Sequence, residues 1–202
     1  MKLIPLLLLL AACDFCRGQT GTNLIGAGNW SEAVRSGKWG ASLRGRLLVY
    51  CDEAPSTNNH ARVYLELQHV QPTNLWTLPV AVLYAPDGQS ANLHCEMSDE
   101  ASRPIHEVGG LKWYSLQAPC WVTLPCDATL RLRAGFERRL NPEPSGLEIP
   151  VGGEIWVIPP HTTNGFYLSG AFSPQHVDHP TLPRDQVWQG TLTLPKVKIT
   201  VK

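Results

Sequence analysis

Residues 42–51 and 62–70 alternate apolar and polar side chains with a period of two, and no stretch of the chain carries the period of an amphipathic helix. In the first segment Leu43, Leu47, Val49 and Cys51 fall on one side, against Arg44, Arg46 and Tyr50 on the other. In the second, Val63, Leu65 and Leu67 oppose Tyr64, Glu66 and Gln68. Two half-buried strands of this kind must hide their apolar faces against a second layer. Shorter apolar runs at 78–84, 92–97, 111–116, 121–124, 129–134, 154–158, 166–172 and 188–201 predict further strands. Between them lie turn-forming clusters at 52–59, 71–74 and 86–88, and long loops over 136–153 and 174–186. The 17 Pro and 17 Gly supply those breaks. Roughly ten short strands with no convincing helix predict an all-β fold, an antiparallel β-sandwich or barrel.

The N-terminus has a different character. A single Lys2 precedes an apolar run over 3–12, and the polar break after it at Cys13 and Asp14 is abrupt. That is the three-part pattern of a secretory signal peptide. The run is about half the length a membrane-spanning helix needs. Two cleavage points fit. Leu10-Ala11-Ala12-Cys13 resembles the lipobox of bacterial lipoproteins, which implies a signal over 1–12 and a lipid on Cys13. Ordinary cleavage after Gly18 removes 1–18 and leaves Gln19 at the mature end. Residues 19–40 are small and polar and read as an irregular N-terminal segment; 41–202 form the sandwich domain.

Export decides how the six cysteines read. Outside the cytoplasm they are disulfide material before they are metal ligands. Cys51, Cys95, Cys120 and Cys126 allow three pairings, of which Cys51–Cys95 with a local Cys120–Cys126 bridge is favoured. The local bridge requires a loop, because a straight strand carries its ends about 20 Å apart and a disulfide tolerates about 7 Å.

Charge and motifs exclude several classes. Lys and Arg number 17, equal to Asp and Glu, so no basic surplus exists for nucleic acid. No nucleophile elbow, zinc-protease helix or phosphate-binding glycine loop occurs, so no catalytic residue, cofactor or metal is assigned. Glu66 and Glu154 are the acids set within strands, and alternation points both outward. His161, His176, Asp178 and His179 are the densest group of metal-capable side chains, against a solvated-loop alternative. Trp76, Trp113, Trp121, Trp156 and Trp188 are candidates for a sugar-stacking platform, against burial in the core. Asn29-Trp30-Ser31 is a glycosylation acceptor only in a eukaryotic secretory pathway.

Residues 65–70, 121–125 and 188–195 resemble strands of immunoglobulin-like sandwich domains in uncharacterised secreted bacterial proteins. The resemblance implies an immunoglobulin-like sandwich of about ten strands and carries over no functional residue. Cys51 and Cys95 are spaced as in that family, whereas Trp76 stands later than its core tryptophan. The expected function is a non-enzymatic extracytoplasmic binding or cell-envelope role. Its partner would be a protein or glycan of the envelope or extracellular space, with membrane contact only through a lipid on Cys13. The alternatives are a carbohydrate-binding module using exposed Trp and a metal-dependent hydrolase.

Overall fold

The structure is a computed structural model and describes residues 22–37, 40–52, 60–70, 80–84, 92–110, 120–135, 146–159, 162, 165–174 and 178–200. The expected signal peptide, Cys13, the strand at 111–116, His161, His176, Trp76 and Trp113 lie outside them. In chain order the strands are β1 (Thr22–Ala27), β2 (Val34–Ser36), β3 (Ala41–Asp52), β4 (Ala61–Val70) and β5 (Val80–Tyr84). Then come β6 (Leu93–Asp99), β7 (Pro104–Ile105), β8 (Gly109–Gly110), β9 (Cys120–Leu124) and β10 (Thr129–Arg133). The last are β11 (Leu147–Val151), β12 (Glu154–Ile158), β13 (Phe166–Phe172) and β14 (Leu192–Ile199). Among the described residues the only helical element is one short 3-10 turn, Arg184–Gln186. Every pairing between named strands is antiparallel.

The all-β expectation holds, with the alternating strands where the sequence puts them. One sheet runs β1-β3-β4-β10 with β2 also on β3, and a second runs β14-β13-β6-β7. Their inward faces share one core, in which Leu43, Leu47, Val49 and Leu65 of the first sheet join Leu168, Phe172, Leu194 and Val197 of the second. The sheets approach closely at Gly45, where a Cβ would lie 2.9 Å from Leu194 Cδ2. They also join at one edge, where the Thr200 amide donates to the Ile25 carbonyl. At the other side β11-β12-β8 close the wall, tied by a bridge from Glu148 to His60, the residue before β4.

Two expectations need correction. The segment 19–40, expected to be irregular, holds β1 and β2. Both pair with β3, and Ser31 fills the gap by bonding Gly45 through its amide and hydroxyl. Its small residues are there for close packing: a Cβ at Gly28 would lie 2.8 Å from Val197. The loop expected over 136–153 contains β11, buried along its whole length. Leu147, Ile149 and Val151 alternate as a strand should, and Pro150 is tolerated because β11 is the end strand of its sheet. Among the described residues no disulfide joins Cys51, Cys95, Cys120 and Cys126. Cys120 opens an extended strand that leads away from it toward Cys126. Cys95 lies level with Gly170 and so with Leu194, the contact of Gly45; Cys51 is about 20 Å farther along β3.

Gly135, just after β10, marks another close crossing. A Cβ there would run into the Pro150 carbonyl of β11. Gly135→Ala is expected to lower stability by about 1–3 kcal/mol, read as a drop in the urea midpoint with an unchanged slope.

Candidate functional site

The outer face of the β3-β4-β10 sheet carries a polar surface whose side chains bond one another. Strand register builds it in cross-strand rows. Arg44, Gln68 and Thr129 form one row, and Arg46, Glu66 and Arg131 the next. Leu48, Tyr64 and Arg133 follow, and then Tyr50 and Arg62. The rows hold five arginines and a single carboxylate, Glu66. Alternation puts all of them outward, since Leu43, Leu47, Val49, Val63, Leu65 and Leu67 take the inward positions.

Glu66 does point outward, as its strand position predicts, yet it is only 3% exposed because guanidinium groups cover it. Arg46 Nε donates to Oε2 at 2.7 Å, and Arg131 donates to Oε1 through Nε at 2.8 Å and Nη2 at 2.6 Å. Burial pushes the Glu66 carboxyl up, but the hydrogen bonds and charges of Arg131 and Arg46 outweigh it and hold the group below the usual glutamate range. One row away, Gln68 Oε1 accepts from Arg44 Nε at 2.9 Å and Nη2 at 2.7 Å. Trp30 completes the arrangement, with the Arg44 and Arg46 guanidiniums 4.9 and 4.4 Å from its ring centroid. Tyr50 and Tyr64 meet edge to face at 5.6 Å on the same side.

These arginines are therefore held, not merely displayed. Glu66, Gln68 and Trp30 fix their planes while leaving donors for a ligand: among the described residues, no bond engages the Nη1 groups of Arg44 and Arg46. A preorganised guanidinium loses less freedom on binding a carboxylate, sulfate or phosphate.

The opposite outer face is acidic. A groove of about 430 Å³ opens beside β6, β7 and β12, with Glu96, Glu107, Glu154, His94, His106 and Lys196 among its walls. Burial raises the Glu154 carboxyl; His94 partly offsets this, and the Glu107 and Glu96 carboxylates add to it. Glu107→Gln is therefore expected to bring the Glu154 titration midpoint down toward the ordinary value, as followed by carboxyl NMR.

The remaining candidates disperse. Trp156 and Trp188 are core residues at 2% and 1% exposure. Their indole N–H groups donate to the Ile105 and Val34 carbonyls. Trp121 is partly buried, with its ring against His179 at 4.9 Å. Asp178 pairs with Arg184, and His179 Nδ1 accepts the amides of Thr181 and Leu182. His161 and His176 lie outside the described residues, among which no three His, Cys, Asp or Glu side chains are grouped to hold a metal ion. Asn29 is exposed, while the Ser31 hydroxyl is engaged with Gly45 and Glu32. Set against known proteins, the chain matches no family model, no curated protein and no solved structure.

Proposed function

We propose that this is an exported, non-enzymatic binding protein of the extracytoplasmic space, an immunoglobulin-like sandwich that works through the outer face of its β3-β4-β10 sheet. The observation that carries it is the pair of guanidiniums fixed by the nearly buried Glu66 beside the Arg44–Gln68 pair. Guanidiniums fixed in this way suit recognition of an anionic ligand. Export follows from the signal-like 1–18 segment, with either a lipid on Cys13 or a free Gln19 at the mature end.

Arginine-selective labelling with phenylglyoxal, in the native extracytoplasmic fraction and on the purified protein, tests this function. Arg44 and Arg46 are expected to label less in the native fraction, where the ligand covers them. Equal labelling in both settings contradicts a binding role for this face.

A further inference from the structure

We infer that the partner of this face is a second copy of the chain, docked head to tail through the acidic groove on the other sheet. This rests on the proposed binding role and names the anionic surface it takes. The chain carries equal numbers of basic and acidic residues, yet its two outer sheet faces separate the signs. On the first, Arg44, Arg46 and Arg131 occupy two rows with the single carboxylate of Glu66. On the second, Glu96, Glu107 and Glu154 share the groove with one ammonium, Lys196. Surfaces built to stay apart intersperse the two signs. Patches of opposite sign attract each other and fix the register in which they meet.

Each patch holds what the other lacks. Arg46 and Arg131 meet on Glu66, and Arg44 and Arg46 share the Trp30 ring, so positive charge gathers over one small area. Its spare donors are the Nη1 groups of Arg44 and Arg46. In the groove, no ion pair engages Glu96, Glu107 or Glu154 among the described residues. Burial raises the Glu154 carboxyl, and the Glu107 and Glu96 charges add to this against His94. An arriving guanidinium stabilises the charged form. Apolar contacts are at hand on both sides. Trp30 is half-buried beside the arginines, and Val108, next to Glu107, is 62% exposed. Arginine and tryptophan are residue types that protein interfaces favour. Because the two patches face opposite ways, one pair of copies cannot satisfy both, and the contact propagates. Two rows over three strands cover far less than the roughly 800 Å² per partner of a standard interface, so the association is weak.

Sedimentation velocity of the purified protein over rising concentration tests this. The mass is expected to grow past that of a dimer, and to grow less as salt rises. Two variants carry the decision: Arg44→Ala with Arg46→Ala on the face, and Glu96→Gln with Glu107→Gln in the groove. The two acids are exposed, so the groove variant decides even where the arginine variant does not fold, as thermal melts will show. Each variant alone should associate about tenfold more weakly, the scale of a lost charged hydrogen bond. Mixed in equal amounts, they should form a one-to-one dimer that grows no further, since one intact face meets one intact groove. A parent that stays monomeric or stops at a dimer overturns the assignment, as does a folded variant that associates as well as the parent. Phenylglyoxal labelling keeps this apart from the binding role itself. If the parent does not self-associate but Arg44 and Arg46 label less in the native fraction than in dilute purified protein, the second copy is overturned and the binding role stands. Without that protection the binding role falls as well.

Discussion

Trp188→Ala is expected to cost the fold about 3–5 kcal/mol, the range for truncating a buried large aromatic. Its indole is 1% exposed and lies between the two sheets. It stacks on Phe172 of β13, with ring centroids 6.3 Å apart and planes 11° from parallel. On the other side its Nε1–H donates to the Val34 carbonyl of β2 at 3.0 Å. Alanine opens a cavity at the junction and leaves that carbonyl without its donor. Trp188→Phe keeps most of the stacking and removes only the hydrogen bond, so a loss of about 1–2 kcal/mol is expected. Urea denaturation of both variants measures the difference. A loss below about 1 kcal/mol for the alanine variant would place the indole at the surface and return it to the sugar-binding candidates.

The second large effect belongs to Glu66. Glu66→Ala leaves Arg46 and Arg131 side by side with nothing between them, and removing one partner of a buried pair costs about 3–5 kcal/mol. Here the guanidinium side chains retain 31% and 52% exposure and can rehydrate, so a loss of about 2–3 kcal/mol is expected. The pH dependence follows from the direction of the shift. The folded-state carboxyl lies below its unfolded value of 4.5. Its stabilisation is therefore fully present above that value and is lost as pH falls through the folded midpoint. Glu66→Gln, which keeps the shape without the charge, should show a flatter acid limb than the parent below about pH 4.5. Identical acid limbs would mean that Glu66 is not the charge that fixes the two arginines.

The residues that built this face were in plain view along the chain, but their meeting was not. Arg44, Arg46 and Glu66 follow from alternation in two strands, because side chains reverse at every residue. Alternation does not give register, so Glu66 read as a solvated acid and not as the centre of a row with Arg46 and Arg131. Trp30 lay in a segment with no periodicity, and only its alignment along β3 brings it beneath two guanidiniums. Where the pattern was interrupted, strands were missed for identifiable reasons. Pro150 concealed β11, and the glycines that let β1 and its neighbours approach β14 concealed the N-terminal strands.

Export, on which the proposed role rests, is tested most directly by the intact mass of the chain recovered from the extracytoplasmic fraction of its own cells. The expected mass is that of a chain beginning at Gln19, or of one beginning at Cys13 with a lipid attached. A full-length chain retaining Met1 or its immediate neighbours, found only in the cytoplasm, would contradict it.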